Sequence, residues 1–181
     1  MLNRVTNRNY STPGGTPSNY QATPNVAYTY KTTAPGLGNL IKVESSVSTT
    51  EYTSFDILGR VTGHRQTTDG EEYETDYTYN LSGALIEQTY PSGRKVKNVL
   101  DNNGDLSMVQ SGKCLDATPG TNATCTQQAG LWNYAKNLTY NAAGAVTSMQ
   151  LGNNRWESTH YNSRPQPTQI ALGGRDTGSS L

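Results

Sequence analysis

"YNAAGAV", residues 140–146, carries no catalytic group, no metal ligand and no charge. Its shape recurs upstream in "FDILGRV" (55–61), "YNLSGAL" (79–85) and "LDNNGDL" (100–106). The glycines are Gly59, Gly83, Gly104 and Gly144. Three residues before them stand Asp56, Asn80, Asp101 and Asn141; four before, Phe55, Tyr79, Leu100 and Tyr140; two after, Val61, Leu85, Leu106 and Val146. Asp or Asn opening a turn, with Gly three residues on, marks a type I turn. The Asx side chain bonds the backbone two residues on. Gly then takes the left-handed conformation and closes a three-residue hairpin loop with a β-bulge. In that frame Phe55 faces Val61, Tyr79 faces Leu85, Leu100 faces Leu106 and Tyr140 faces Val146, each an apolar cross-strand pair. Asp101 falls opposite Asp105, a like-charge pair and the poorest fit of the set.

The glycines at 59, 83, 104 and 144 are 24, 21 and 40 residues apart, the last step being close to two periods with an insertion. A period this short points to a repeat architecture. No helical periodicity lies between the copies, whereas "YETDYTY" alternates Tyr73, Thr75, Tyr77 and Tyr79 on one strand face. Asp69-Gly70 and Pro91-Ser92-Gly93 supply return turns. Each unit therefore reads as strand, turn, strand, turn. Two weaker copies flank the four. "PGLGNLIKV" keeps Gly38 and Leu40 but has Pro35 for the Asx; "YNSRPQPTQI" keeps Tyr161 and Asn162 but has Pro165 for the glycine. Proline is expected not to adopt positive φ, so this copy is expected not to make the same bulge, and strand pairing to change or end at Pro165.

Composition agrees with a wet, pleated surface. Hydrophobic residues are 33% and charged residues 15% of the 181, and Tyr outnumbers Phe twelve to one. The chain is thus poorer in apolar residues than a compact enzyme, without the charge of a disordered tail. Tyr and Thr suit strands with one solvated face. With 14 basic and 14 acidic residues the formal net charge is +0. That removes the simplest electrostatic case for nucleic-acid or anionic-membrane binding. No apolar run approaches the roughly 18 residues of a membrane span. The opening "MLNRVTNRNYSTPGGTPSNY" has no apolar core of a signal peptide. A cytosolic protein, one exported without a cleaved signal, and an internal piece of a longer chain all fit.

The units "FDILGRV", "YNLSGAL" and "YNAAGAV", with the connecting phrases "TYPSGRKV", "LGNNRWE" and "YNSRPQPTQI", resemble the YD repeats of RHS proteins. Such repeats occur in bacterial polymorphic toxins, Tc-type insecticidal toxin complexes and teneurins. The resemblance implies a β-ribbon that spirals into a hollow shell around a toxic C-terminal polypeptide, and export to the medium or the cell surface. Its implied partners are further repeats of a longer chain and that enclosed toxin. The family's closing segment carries a "DPxGL"-like stretch with acidic groups for self-cleavage. No Asp-Pro occurs here, so no catalytic residue carries over, and the chain reads as shell without plug or cargo.

Cys114 and Cys125 lie in the polar stretch "GKCLDATPGTNATC" within the longest step. They are either two unrelated small residues or a disulfide closing a hairpin tip. The family's export favours the disulfide, which would contribute about 3 kcal/mol through the unfolded state. Two cysteines without a nearby His or Cys partner lack a zinc spacing.

Enzymatic constellations are missing. His64 and His160 are the only histidines, each in a strand-like setting, and no P-loop, GxGxxG or GxSxG motif occurs. Glu72, Glu74 and Asp76 cluster in "DGEEYETD". They could hold a cation or serve as a carboxylate pair, but a solvated strand face that guards an edge accounts for them more simply. Trp132 and Trp156, with Tyr134, are candidates for a glycan-binding platform, although sheet aromatics more often pack.

The expectation is an all-β fold of antiparallel β-hairpin repeats forming a curved strip. Residues 1–27 are expected to be irregular or extended, 28–172 to form the strip with the Cys-containing insertion at about 111–130, and 173–181 to be a flexible tail. The expected role is structural and non-catalytic, as a segment of an encapsulating shell, with no cofactor and no metal. The alternative is an adhesin-like module that binds glycans or a partner protein.

Overall fold

The computed structural model describes residues 3–11, 21–34, 36–112 and 130–174. The Cys114–Cys125 pairing and the tail beyond residue 174 lie outside the described residues. The protein is all-β and antiparallel, with no helix among the described residues. None is therefore long and apolar enough to cross a membrane.

Thirteen strands follow in chain order: β1 (Asn7–Arg8), β2 (Val26–Tyr30), β3 (Leu40–Glu44), β4 (Ser48–Phe55), β5 (Val61–Thr68), β6 (Glu71–Tyr79), β7 (Leu85–Thr89), β8 (Lys95–Leu100), β9 (Leu106–Gly112), β10 (Trp132–Tyr140), β11 (Val146–Leu151), β12 (Trp156–Tyr161) and β13 (Pro167–Gly173). Two compact units divide within β6, between Tyr77 and Thr78. In the first, β1 to β6 pair antiparallel, each with the next. In the second, β7 to β13 do the same.

Neither unit hides a conventional apolar core. Among the described residues only Gly63, Thr75, Ser111, Gly112 and Ser158 are buried, all of them small or polar. Most strand residues on both faces are half-buried. Strand-to-strand hydrogen bonds and cross-strand pairs therefore carry more of the stability than in a layered domain. The low apolar content follows from this. Every buried side-chain nitrogen and oxygen among the described residues has a partner. Ser111, the most buried, accepts a hydrogen bond from Arg94 Nε at 2.7 Å.

The Asx–Gly hairpin turns share one frame. In each Asx–Gly corner the Asx amide donates to the carbonyl four residues on, and the glycine amide donates back to the Asx carbonyl. For Asn141 these are Asn141 N to Ala145 O and Gly144 N to Asn141 O, both 3.0 Å. Gly59 and Gly144 both sit at φ 79°, the left-handed region that glycine enters without steric cost. Two return turns use the same frame without an Asx in the lead. Tyr90 N bonds Arg94 O at 2.8 Å with Gly93 N on Tyr90 O. Leu151 N bonds Arg155 O at 2.7 Å, with Asn154 in the glycine's place at φ 65°. Asparagine tolerates that conformation better than other side chains. The Asp69-Gly70 turn is a two-residue loop between paired Thr68 and Glu71, with both φ values positive (53° and 82°) as its type requires.

Pro165 departs from expectation. Strand pairing neither changes nor ends there: Asn162 N bonds Gln166 O at 3.0 Å and β12 pairs with β13 along its length. The frame survives because the hydrogen bonds that close it come from Asn162 and Gln166, not from the glycine position. What proline removes is the amide that would donate back to Asn162. It also holds φ at 31°, a strained value for a ring that prefers about −65°.

Candidate functional site

The repeated corner is the feature with the most consistent geometry. In each copy the Asx side chain reaches forward over its own turn. Asp56 Oδ1 accepts from Leu58 N and Arg60 N at 2.9 Å. Asp101 Oδ1 does so from Asn103 N (2.8 Å) and Asp105 N (3.0 Å), and Asn141 Oδ1 from Ala143 N and Ala145 N, both 3.0 Å. Asn80 Oδ1 accepts from Ala84 N at 2.9 Å and from the Ser82 hydroxyl at 3.0 Å. The proline copy matches, with Asn162 Oδ1 on Arg164 N and Gln166 N. Partial desolvation raises the Asp56 carboxyl, but the Arg60 amide, the Arg60 guanidinium and the Leu58 amide outweigh it and leave the pKa below its ordinary value.

Three of the four apolar pairs stand in the strand register. Phe55 pairs with Val61, Leu100 with Leu106 and Tyr140 with Val146. Tyr79 ends β6 and Leu85 begins β7 on either side of the Asn80 frame, whose Gly83 N bonds Asn80 O at 3.1 Å. Gly104 N likewise bonds Asp101 O at 3.1 Å, and Asp101 N bonds Asp105 O at 2.8 Å, bringing the two carboxylate-bearing residues opposite each other.

Two features of the corner were not read from the sequence. First, the tyrosine before the Asx reaches back to the preceding strand. Tyr140 Oη donates to Leu106 O at 2.6 Å and Tyr161 Oη to Val146 O at 2.8 Å, while Tyr30, which precedes Lys31 rather than an Asx, donates to Val5 O at 3.0 Å, ahead of β1. Leu106 and Val146 occupy the same place in their own corners, so the hydroxyl ties one copy to the one before. Burial first, then the carboxylates of Asp105 and Asp101, push the Tyr140 hydroxyl above its ordinary pKa. Phe55 and Leu100 lack the hydroxyl. The signal was in view, as Tyr rather than Phe at this position and in the chain's composition.

Second, four of the corners, the Pro165 copy among them, hold another bulge three residues past the glycine position. The register slips at Thr62, Ser107, Thr147 and Thr168, each an extra residue in the second strand. All four are hydroxyl residues that bond the residue five before the glycine position. Thr62 meets the Ser54 hydroxyl and Thr147 the Thr139 hydroxyl, both at 2.8 Å, while Ser107 donates to Val99 O at 3.1 Å and Thr168 to His160 O at 3.2 Å. A bulge bends its strand and increases its right-handed twist. Two bulges in each of these corners, placed alike, give their hairpins the same local bend.

The candidates for chemistry are occupied or apart. Glu72 and Glu74 flank Arg65, at 3.4 and 3.9 Å, and Glu51 binds the same guanidinium at 2.6 Å. The cation in that acidic stretch is therefore an arginine. Asp76 stands opposite Gly63. Among the described residues no group of three ligating side chains converges to hold a metal. His64 Nδ1 lies 3.2 Å from Tyr77 Oη with the rings stacked, and His160 pairs with Gln169. An open groove of about 690 Å³ in the first unit is lined by Tyr30, Lys31, Tyr52, Phe55 and Arg65 among others.

Trp132 and Trp156 do not converge. Trp132 stands opposite Ser111, whose face continues through Val109 to Ala135 across the bulge at Tyr134. Trp156 pairs with Gln150, which pairs with Lys136, opposite Met108 on the other face. Trp132 is 70% exposed. A single aromatic platform built from both is not formed.

No protein-family model and no curated protein matches the chain. Solved structures do. The crystal structure of TcdB2-TccC3-Cdc42 is similar over 88% of this chain and 8% of that one, with TM-score 0.66 and 18% identity. A Photorhabdus luminescens Tc holotoxin pore gives TM-score 0.66 and 18% identity over 86% of this chain and 8% of that one. TcdB2-TccC3 without its hypervariable C-terminal region gives 0.65 and 19% over 87% and 8%. At this identity the likeness establishes the fold. That fold is the one the YD-repeat resemblance implied, in proteins of the Tc-type complexes named with it. The chain spans about 8% of the length of these neighbours.

Proposed function

We propose that the chain is a non-catalytic structural segment of a YD-repeat shell that encloses a toxic or effector polypeptide for delivery outside the cell. The observation that carries this reading is the recurrence of one double-bulged corner in a strand ladder whose fold is shared with Tc toxin structures. A side-chain layer that is neither strongly apolar nor charged suits a wall better than an active site. The partners are further repeats of the same chain and a C-terminal polypeptide inside them.

The test begins with the reading frame on both sides of this segment. The full-length product is then exposed to protease under native conditions. In-frame repeats with a C-terminal portion that resists digestion until the shell is denatured are expected. A frame without further repeats, or a C-terminal portion cut as fast as a free peptide, overturns the proposal.

A further inference from the structure

One corner differs from the others at the residue before its glycine. Leu58, Ser82 and Ala143 precede Gly59, Gly83 and Gly144, whereas Asn103 precedes Gly104. This is the only Asn-Gly step in the chain. The pair is chemically reactive: glycine has no Cβ to crowd its nitrogen, and closure of that nitrogen onto the asparagine Cγ gives a five-membered imide. The surroundings leave room for the ring. Residues 101–105 are all exposed, and nothing lies within 4 Å of where a Cβ on Gly104 would sit. The turn itself opposes closure. The Gly104 amide donates to Asp101 O at 3.1 Å, while Asp101 Oδ1 holds the amides of Asn103 and Asp105 at 2.8 and 3.0 Å. A nitrogen whose proton is engaged in that bond is a poor nucleophile.

We propose that Asn103 is a site of spontaneous deamidation, gated by the hydrogen bond from Gly104 to Asp101. When the corner opens, a base in the solvent removes the Gly104 amide proton and the nitrogen attacks Cγ of Asn103. The N–Cγ bond forms, the Cγ–Nδ2 bond breaks and ammonia leaves. Water then opens the imide. Attack at Cγ breaks the new bond and leaves aspartate. Attack at the main-chain carbonyl carbon of Asn103 breaks the original peptide bond and leaves isoaspartate, with the chain running through Cγ. Water is the only co-reactant. Either product adds a carboxylate to the corner where Asp101 already stands opposite Asp105, and like charges so placed destabilise a strand pair. Isoaspartate also lengthens the main chain of a tight loop by one carbon, so the bonds to Asp101 O and Oδ1 do not re-form in the same frame. The reaction turns a transient opening into a permanent loss of this corner. The corners at Gly59, Gly83 and Gly144 lack the side-chain amide for it. This inference does not rest on the encapsulation reading.

The experiment is incubation of the 181-residue chain at mildly alkaline pH, native and in urea, followed by peptide mapping. Mass spectrometry reads amide-to-acid conversion at each asparagine, and enzymatic methylation of isoaspartate reads the second product. In urea, Asn103 is expected to convert faster than Asn102, Asn141 and Asn162. In the native chain Asn103 is expected to convert as well, at least about fivefold more slowly, the effect of holding one hydrogen bond closed. Asp101→Ala removes the side-chain acceptor of two turn amides and is expected to raise the native rate towards that in urea. Asp101→Asn keeps an acceptor and is expected to stay slow, and Asn103→Gln to abolish the product. Far-ultraviolet circular dichroism establishes that each variant keeps its strands. An Asn103 no faster in urea than the other asparagines overturns the proposal. So do equal rates in the native and urea samples, or a folded Asp101→Ala chain that converts as slowly as the wild type. If Asp101→Ala does not fold, the wild-type comparison of native and urea rates decides alone.

Discussion

Tyr140 Oη donates to the carbonyl of Leu106 at 2.6 Å, across 34 residues of chain. This bond joins the end of one hairpin's first strand to the start of the previous hairpin's second strand, and Tyr161 repeats it on Val146. The repeat unit thus specifies its neighbour contact as well as its own turn. Tyr140→Phe and Tyr161→Phe should each lower stability by about 1 kcal/mol, the net worth of one hydrogen bond. Urea denaturation of the single and double variants checks this, and an unchanged midpoint in both would remove the tie from the account.

The same hydroxyl predicts an alkaline effect. Burial and the carboxylates of Asp105 and Asp101 raise its pKa, so the native state holds this proton more tightly than the unfolded chain. Stability from this group is complete below the unfolded tyrosine pKa of about 10 and falls as pH climbs past it. Tyr140→Phe should therefore show a shallower decline in melting temperature between about pH 10 and 11 than the wild type.

At the acid end, Asp56 has a lowered pKa, held down by the Arg60 amide and guanidinium and the Leu58 amide against desolvation. Its contribution is present above the unfolded value of about 3.9 and is lost as pH falls through the folded value. Asp56→Asn keeps the turn acceptor and should lose less stability than the wild type between about pH 4 and 2, as thermal melts across that range would show.

Gly144 has open space where a Cβ would sit, yet φ is 79°. Gly144→Ala should cost about 1–2 kcal/mol through backbone strain alone, and Gly144→Asn less. Pro165 is the converse. Pro165→Gly relieves strain of about 1–3 kcal/mol and restores a donor, against roughly 0.5–1 kcal/mol of added chain entropy. A net gain in stability is expected; a loss in chemical denaturation would show that proline is the better residue there.

What the sequence disclosed and what it hid divide by range. The Asx–Gly frame and the Phe55–Val61, Leu100–Leu106 and Tyr140–Val146 pairs are local, set by seven consecutive residues, and were legible. The Tyr140–Leu106 bond was not, because its acceptor is a backbone carbonyl one hairpin away that no side chain announces. The return turn at Leu151–Asn154 was hidden by asparagine standing where glycine is usual. Pro165 misled because the expectation weighed its φ and not the hydrogen bonds that close the turn around it. Trp132 and Trp156 fall on opposite faces because of the slip at Tyr134, and strand alternation alone does not place such a slip.

Amide hydrogen exchange, read residue by residue by NMR, tests the repeated corner most directly. The account predicts slow exchange at the amides of Asp56, Asp101, Asn141 and Asn162, which bond across their hairpins, beside fast exchange at the turn tips Ile57, Asn102 and Ala142. If the Asx amides exchange as fast as those tips, the corners are not formed, and the proposal of a shell segment built from them fails with them.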